Sequence, residues 1–370
     1  MRIAHLTTVH PRDDTRIFRK MCRSLSAAGH TVTLHVADGR GDADIEGVRI
    51  VDLGRPSGRL ARATGTAWRM WREALRSRPD ILHFHDPELI PGGILARLAG
   101  RPVIYDIHEY YRIHLRQTAA VPGVVAMLLA GAYGVAERLA AMCLDACVVV
   151  TPHMQRVLPL RRSIVVGNEV QTGEFTPGPI PAADRPKRVC YVGILSAARV
   201  VESMVDAAAM AGARLALAGR WYPPGYRAAI ATRPGWEMVD ELGQLDREQM
   251  QREFDVSRAG LLLVRLDGDE RHSSNNKLYE YMAAGLPVIA SDVEFAREVI
   301  DRHGCGLLVS PPTDTEAMSA AIDWILAHPA EAERMGRAGR LAVEAEHSWE
   351  QGRDRLLALY DDLIGLGVRP

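Results

Sequence analysis

The stretch that decides the fold is residues 265–298, which read R-L-D-G-D-E-R-H-S-S-N-N-K-L-Y-E-Y-M-A-A-G-L-P-V-I-A-S-D-V-E-F-A-R-E. The pattern predicts a buried strand over 259–264, a polar loop, and a short helix over 277–284. Gly285 and Pro287 end that helix, and 288–290 form the next buried strand. The helix is preceded by four residues of the types that favour a helix N-cap, Ser273, Ser274, Asn275 and Asn276. The stretch is therefore one strand–helix–strand unit.

The start of this helix is a candidate anion site. A helix that begins after the carboxyl end of a strand directs unpaired backbone N–H groups at one place. Lys277 adds a positive charge in the first turn. An ordinary strand–helix–strand unit with a solvated loop has the same residue types, so both interpretations stay open on this pattern alone.

Length and composition are those of a globular protein with room for two domains. The chain has 370 residues, of which 47% are hydrophobic and 25% charged. Its net charge of −1 gives no electrostatic reason to expect a nucleic acid partner.

Cysteine use and hydropathy indicate the compartment. Five cysteines without a C-x-x-C spacing are typical of free thiols in a reducing environment. The longest apolar run, 124–136, is too short to span a bilayer, and the N-terminus is strand-like rather than a signal peptide. We therefore expect a cytoplasmic protein without a transmembrane segment, and peripheral membrane contact stays open.

Strand and helix patterns alternate along the whole chain. The predicted strands of the first half are 3–8, 31–37, 48–53, 81–85, 103–106 and 146–150, with helices over 17–28, 60–78, 88–99 and 121–141. The predicted strands of the second half are 188–192, 215–218, 236–239, 259–264, 288–290 and 306–309, followed by helices over 315–327, 330–346 and 349–364. Such alternation predicts an α/β fold of two Rossmann-like, doubly wound parallel-sheet domains.

A proline-rich segment separates the two halves. Residues 176–186 read T-P-G-P-I-P-A-A-D-R-P, and four prolines in this segment predict a stiff, extended connector. We therefore predict an N-terminal domain over 1–175, a linker over 176–186 and a C-terminal domain over 187–348.

Polar residues concentrate in the loops that follow predicted strands. In open parallel sheets ligands bind outside the carboxyl ends of the strands, and two facing domains would form a cleft there. The richest loops are H-P-R-D-D-T-R (10–16), H-F-H-D-P-E (83–88), Y-D-I-H-E-Y-Y (105–111) and G-I-L-S-A-A-R (193–199). Arg199 and Lys277, both at predicted helix starts, suit a diphosphate. Either charge alone would be an ordinary surface group.

Several familiar motifs are absent. The chain has no G-x-G-x-x-G after its first strand, no Walker A, no H-E-x-x-H and no G-x-S-x-G. Asp267-Gly268-Asp269 resembles a metal-binding D-x-D, but a polar loop is the favoured interpretation. His83 and His85 share one face of a strand without a third ligand at a telling spacing, so we expect hydrogen-bonded structural histidines and no metal site.

Five strings together resemble the retaining glycosyltransferases of family 4, which have the GT-B fold. They are T-T-V-H-P-R-D-D-T-R-I-F-R-K (7–20), H-D-P-E-L (85–89), Y-D-I-H-E (105–109), Y-V-G-I-L-S-A-A-R (191–199) and N-K-L-Y-E-Y-M-A-A-G-L-P-V-I-A-S-D (276–292). The last string is the most specific. The resemblance covers nearly the whole length.

The resemblance implies a nucleoside-diphosphate sugar held mainly by the second domain and an acceptor held mainly by the first. The implied donor-binding residues are Gly193, Arg199, His272, Asn276, Lys277, Leu278 and Glu280, with Glu280 on the ribose and Arg199 and Lys277 on the phosphates. His108 is implied beside the transferred sugar, so the candidate catalytic residues are His108, Arg199 and Lys277. The acceptor-side candidates are His10, Asp13, Asp14, Arg16, Asp86 and Glu109. The final segment, 349–370, is expected to cross back to the first domain.

The chain also departs from the family pattern. His272 stands where the family usually has its first glutamate, eight positions before Glu280. Ile194 replaces a frequent second basic residue, and Gly167-Asn168 replaces a usual P-N. Either His272 or Glu270 is left to face the transferred sugar.

The resulting hypothesis is transfer of a sugar to an acceptor hydroxyl with retention at the anomeric carbon and without a metal or other cofactor. The acceptor class stays open among glycans, lipid-linked acceptors and small natural products. Two alternatives remain, namely a nucleotide-sugar epimerase or hydrolase on the same fold, and a catalytically silent, nucleotide-binding partner subunit.

Overall fold

The computed structural model of the chain describes residues 1–108, 123–158, 161–266 and 276–367. These residues form two compact units. The first consists of Met1–Asn168 together with Gln351–Pro370, and the second of Glu169–Glu350. Each unit has one sheet, which confirms the predicted pair of doubly wound α/β domains.

The sheet of the first unit has eight strands in the order β3-β4-β2-β1-β5-β6-β7-β8. All pair in parallel except β3, which runs antiparallel to β4. The strands are β1 (Arg2–Leu6), β2 (Thr31–Val36), β3 (Ala43–Ile45), β4 (Val48–Asp52), β5 (Ile81–Phe84), β6 (Val103–Ile107), β7 (Ala146–Val149) and β8 (Ser163–Val165). The sequence patterns missed only the short β3 and β8.

Helices cover this sheet because their apolar faces pack on its buried strands. The first begins as a π-helical segment, Thr15–Cys22, and continues as Arg23–Ala27 (α1). The second runs through Arg59–Ala61, Arg62–Thr66 and Ala67–Arg76 (α2). The others are α3 (Ile90–Leu98), α4 (Gly123–Cys143) and α5 (Pro152–Val157), and the short turn Pro87–Leu89 precedes α3.

The sheet of the second unit has six parallel strands in the order β11-β10-β9-β12-β13-β14. They are β9 (Arg188–Val192), β10 (Arg214–Ala218), β11 (Val239–Gly243), β12 (Ala259–Leu262), β13 (Val288–Ser291) and β14 (Gly306–Val309). After β9 the chain adds β10 and β11 on one side, and after β12 it adds β13 and β14 on the other side. The sheet therefore has a topological switch point between its neighbours β9 and β12.

The helices of the second unit alternate with its strands and end in a long C-terminal pair. They are α6 (Val201–Met210), α7 (Tyr226–Ile230), α8 (Arg247–Val256), α9 (Asn276–Ala283), α10 (Glu294–His303), α11 (Thr315–Ala327) and α12 (Pro329–Ala345), with short turns at Ala197–Arg199 and Pro234–Met238. The last helix, α13 (Trp349–Gly367), belongs from Gln351 onward to the first unit.

Two sequence-based boundaries need correction. The predicted strand 236–239 is wrong, because Pro234 begins a turn there and the strand starts only at Val239. The proline-rich segment 176–186, predicted as a stiff, extended connector, is also part of the second unit, which begins at Glu169. The Thr176 amide bonds the Gln251 side chain at 3.0 Å, and the Arg185 guanidinium bonds the Ser257 carbonyl at 3.0 Å.

Among the described residues, no helix combines the length and the apolar character needed to cross a lipid bilayer.

Candidate functional site

The switch point of the second unit brings together the two segments that carry the predicted cations. Gly193 and Arg199 follow β9, and α9 with Lys277 follows its neighbour β12. The backbone N–H of Arg265, in the segment after β12, donates to the Ala198 carbonyl at 3.0 Å. Arg199 and Lys277 therefore arise from adjoining segments at the carboxyl edge of one sheet.

Helix α9 is fixed directly to the end of β9. The Tyr281 hydroxyl accepts a hydrogen bond from the Val192 N–H at 3.1 Å, and the Tyr281 ring is completely buried. A Cβ on Gly260 of β12 would lie only 2.3 Å from that ring. The helix can therefore dock only because this strand position has no side chain. This docking sets the distance of α9 from the loop that begins at Gly193.

The backbone of the loop after β9 lies very close to the backbone that follows β10. Gly219, which follows β10, has φ +143°, and a Cβ there would lie 1.7 Å from the Gly193 carbonyl oxygen. Only glycine fits this position. Ile194, which stands where the family often has a basic residue, has 48% of its surface exposed at this edge.

Helix α9 carries a buried ion network. The Glu280 carboxylate accepts from Lys277 Nζ at 2.5 Å and from Arg247 Nη1 at 2.7 Å. Burial alone would raise the pKa of Glu280, but the charges of Lys277 and Arg247 lower it below its ordinary value. Arg247 also pairs with Glu174 at 2.8 Å. Glu280 is therefore an ionised acceptor held in place from two sides.

Arg247 was not predicted from the sequence. Its local signal is the capping box of α8, in which Asp246 and Gln249 exchange side-chain and backbone hydrogen bonds. The capping box fixes Arg247 in the first turn of α8, but its pairing with Glu280, 33 positions away, has no sequence signature.

The other predicted donor residues differ in what they offer. Asn276 is the half-buried first residue of α9. The Leu278 side chain is fully buried in the apolar core of the unit, so it offers a ligand only its backbone. His272, Glu270 and Asp267-Gly268-Asp269 lie outside the described residues.

The first unit has its own switch point, between β1 and β5, and polar residues fill it. His5 of β1 and His83 of β5 are register partners. Beyond the strand ends, Asp86 accepts hydrogen bonds from the Thr7 hydroxyl at 2.8 Å and from the Thr8 N–H at 2.5 Å. These hydrogen bonds thus join the start of the loop after β1 to the start of the loop after β5.

Asp106, at the end of β6, is the centre of this cluster and is completely buried. Its carboxylate accepts from Arg16 at 2.7 and 3.0 Å, from His108 Nε2 at 2.7 Å and from His85 Nδ1 at 3.1 Å. Burial alone would raise the pKa of Asp106, but Arg16 and His108 hold it well below its ordinary value. Since an ionised carboxylate only accepts, His108 donates through Nε2, and in a neutral ring Nδ1 is then the acceptor.

A chain of buried side chains continues from Asp106 to the last helix. His85 Nε2 lies 2.9 Å from His5 Nδ1, His5 Nε2 lies 3.3 Å from the Tyr360 hydroxyl, and that hydroxyl lies 2.5 Å from His83 Nδ1. One set of neutral tautomers satisfies every step, with each group donating toward Asp106. The predicted structural role of His83 and His85 agrees with these bonds.

Ligand atoms of His83, His85 and Asp106 lie within 4.8 Å of one another, a spacing that a metal could use. The Arg16 guanidinium, however, already neutralises Asp106 through two hydrogen bonds. A cation in the same place would oppose this buried charge, so the arrangement favours the hydrogen-bonded histidines.

The acceptor-side candidates fall into two groups. His10 lies 3.4 Å from Asp14 and 3.6 Å from Asp86, and its ring centroid is 5.2 Å from that of His108. Burial would lower the pKa of His10, but these carboxylates raise it above its ordinary value. Asp13 instead faces outward and pairs with exposed Arg40 at 3.6 Å. Glu109 lies outside the described residues.

The buried histidines make the first unit sensitive to acid. Burial lowers the pKa of His5, His83 and His85, so each is neutral when folded but binds a proton below about pH 6.5 when unfolded. Their contribution is therefore complete above about pH 6.5 and is lost as the pH falls toward the lowered values. We expect the free energy of unfolding, measured at the amides of β1 and β5, to fall between pH 7 and pH 5. The fall should be at most about 1.4 kcal/mol per pH unit per histidine.

Native-state hydrogen exchange measures this effect, with β9 and β12 of the second unit as the internal control. His83→Asn should flatten the pH dependence of β1 and β5. An equal pH dependence in both units would show that the histidines do not cause it.

Two family models match most of the chain between them. Residues 15–164 match a glycosyl transferase 4-like domain, and residues 198–358 match a glycosyl transferase-like model. The first match covers the cluster around Asp106, and the second covers Arg199 and helix α9.

A curated relative supports the same assignment. The D-rhamnosyltransferase WbpZ of Pseudomonas aeruginosa is 27% identical over 152 residues, which cover 41% of this chain and 39% of WbpZ. The chain thus matches about two fifths of the length of that relative.

Solved structures match over nearly the full length. Sucrose-phosphate synthase from Thermosynechococcus elongatus is similar with a TM-score of 0.77 and 20% identity, covering 99% of both chains. The Anabaena protein Alr3699/HepE, solved with UDP and glucose, has a TM-score of 0.73 and 13% identity over 98% of this chain and all of that one. At these identities the similarity shows the fold. The two family models place the chain among the glycosyltransferases, with a 4-like first domain, and the solved structures show that it has the GT-B fold.

Proposed function

We propose that the protein transfers a sugar from a nucleoside-diphosphate sugar to an acceptor hydroxyl, with retention at the anomeric carbon. The observation that carries this proposal is the switch point between β9 and β12. There Arg199, Lys277 and the start of α9 arise from adjoining segments at the place where open parallel sheets bind nucleotides.

The two cations and the helix start supply what the reaction needs. Breaking the bond between sugar and phosphate leaves negative charge on the departing diphosphate. Arg199, Lys277 and the N-terminus of α9 stabilise that charge as it develops, and this lowers the barrier. Because these groups neutralise the diphosphate, we expect the transfer to proceed without a metal.

Glu280 suits the nucleoside side of the donor. Its two oxygens are oriented by Lys277 and Arg247, and an ionised carboxylate has further lone pairs for ribose hydroxyls. Lys277 would thus contact both Glu280 and the diphosphate, which couples ribose binding to phosphate binding.

On the acceptor side, the role we assign to His108 follows from Asp106. With Nε2–H donating to Asp106, the Nδ1 of a neutral His108 can accept a hydrogen bond from a sugar or acceptor hydroxyl. Asp106 is then a positioning residue, which fixes the ring and its tautomer. The leaving phosphate is the base that deprotonates the acceptor on the face from which it departs, so no enzymic nucleophile is required.

The substrates are proposed only by class. The relative WbpZ is a rhamnosyltransferase, which favours a hexose or deoxyhexose donor. The acceptor is a glycan, a lipid-linked acceptor or a small natural product with a free hydroxyl. The five cysteines are unpaired thiols, as expected for a reaction in the cytoplasm.

The test is an activity screen with the full chain. Nucleoside-diphosphate sugars are supplied with and without acceptors, and released nucleoside diphosphate is measured, with the product anomer assigned by NMR. The proposal expects acceptor-dependent release and retained configuration. Free sugar or an isomerised donor without acceptor would favour the hydrolase or epimerase, and nucleotide binding without any turnover would favour the silent subunit.

A further inference from the structure

A second polar cluster lies in the second unit, outside the residues assigned to the donor. His303 is the last residue of α10, and Glu346 and His347 directly follow α12. All three are half-buried, and their ligand atoms lie within 4.8 Å of one another. Imidazole nitrogen and carboxylate oxygen are the donors that Zn²⁺ and related divalent transition metals prefer.

The geometry of the histidine pair fits one shared ion. His303 Nε2 and His347 Nε2 are 3.2 Å apart, and the two rings are 89° from coplanar. Two nitrogens bound to one tetrahedral zinc at about 2.0–2.1 Å lie roughly 3.3–3.4 Å apart. The nitrogens thus approach each other at the separation that ligands of one ion require.

Backbone hydrogen bonds and an aromatic ring hold His347 in place. The His347 N–H donates to the carbonyls of Ala342 and Val343, at 3.2 Å each, as α12 ends. The His347 ring stacks on that of Tyr279, with centroids 5.2 Å apart. Tyr279 lies in α9, between Lys277 and Glu280.

A surface ion pair competes with a metal for Glu346. Arg302 pairs with Glu346 at 2.7 Å, and their side chains are 62% and 38% exposed. An exposed ion pair of this kind contributes little, so the arginine can turn into solvent when a metal takes the carboxylate.

We propose that His303, Glu346 and His347 form a structural site for a divalent transition metal such as Zn²⁺, with water as the fourth ligand. The ion would join the ends of α10 and α12 and, through the ring of Tyr279, restrain α9. It would take no part in sugar transfer, so the site is compatible with a metal-independent reaction.

The experiment uses the full chain without a histidine tag, stripped of metal by a chelator. Zn²⁺ alone is titrated in competition with a chromophoric chelator, and Co²⁺ alone is used for its visible tetrahedral spectrum. We expect one equivalent of Zn²⁺ to bind, a tetrahedral Co²⁺ spectrum and a higher melting temperature with Zn²⁺. His303→Ala and His347→Ala should each weaken binding at least about tenfold, since changes even to supporting residues cost about 10–100-fold.

His30→Ala is the matched control, because it removes a half-buried histidine of the other unit and should leave zinc binding unchanged. His303→Ala keeps the stacking of His347 on Tyr279, so it decides the question if His347→Ala does not fold. Equal zinc binding by the wild type and His303→Ala would overturn the proposal. So would a wild type that binds no zinc, which would make the two rings an ordinary hydrogen-bonded pair.

Discussion

Replacing Arg199 or Lys277 by alanine is expected to reduce kcat/KM for sugar transfer by at least roughly tenfold, and up to about a thousandfold. The reason is that, in the function we propose, each charge faces the diphosphate, on which negative charge grows in the transition state. The loss should appear mainly in kcat, because a group that stabilises only the developing charge changes the barrier more than it changes donor binding. Steady-state release of nucleoside diphosphate measures it.

Two variants control for general effects of charge. Arg199→Lys keeps the positive charge and should retain more activity than Arg199→Ala. Arg252→Ala removes an exposed arginine that pairs with Glu248 on the surface of α8, and it should behave as the wild type. Lys277→Ala also removes one of the two cations that bind Glu280, so the melting temperature of this variant must be measured as well. Turnover within about twofold of the wild type for both alanine variants would remove the diphosphate role.

Asp106→Asn is expected to destabilise the first unit strongly. Asp106 is the buried carboxylate that neutralises Arg16 and accepts from His85 and His108. The amide keeps the shape but leaves the Arg16 guanidinium without a counter-charge, and breaking a buried ion pair in this way costs about 3–5 kcal/mol. Denaturant unfolding, with hydrogen exchange of β1 and β6 to localise the loss, measures it.

The control is the same substitution at an exposed site. Asp354→Asn breaks a surface pair with Arg353 in helix α13 and should cost no more than about 1 kcal/mol. If Asp106→Asn is no worse than Asp354→Asn, Asp106 is not the centre of the cluster. If the variant folds, its pH–rate profile should also change, because His108 is no longer fixed in one tautomer. An unchanged profile would contradict the positioning role.

The parts of the fold that were predictable are those that local sequence determines. Alternating strand and helix periods, with Gly285 and Pro287 as stop signals, identified the two parallel sheets and helix α9. Because the loops of a parallel sheet meet at one edge, they also assigned Arg199 and Lys277 to segments that adjoin in the structure. The proline-rich segment was misjudged because proline content predicts stiffness, while its packing depends on distant residues such as Gln251 and Ser257.

The parts of the site that were missed depend on long-range pairing. Asp106 meets Arg16 across 90 positions, and Tyr360 meets His83 across 277. Nothing in the local pattern of either segment marks its partner. The H-x-H spacing in β5 and the Y-D-I-H string in β6 did mark individual residues, but the order of the strands was needed to bring them together. The ion network of Glu280 illustrates the same limit. The helix start indicated Lys277 as a phosphate-binding residue, but neither its pairing with Glu280 nor that of Arg247 was predicted.

The central claim is that Arg199 and Lys277 stabilise the negative charge of the departing diphosphate. Calorimetry of nucleoside-diphosphate binding tests it most directly, because the free nucleoside diphosphate carries that charge in full. The nucleoside diphosphate that the wild type binds most tightly is titrated into the wild type and into the Arg199→Ala/Lys277→Ala double variant, and the parent nucleoside is titrated in parallel. Each charge-assisted hydrogen bond contributes about 1.5–3 kcal/mol, so we predict a loss of at least about a hundredfold for the diphosphate and little change for the nucleoside. Diphosphate binding as tight in the double variant as in the wild type would contradict the claim.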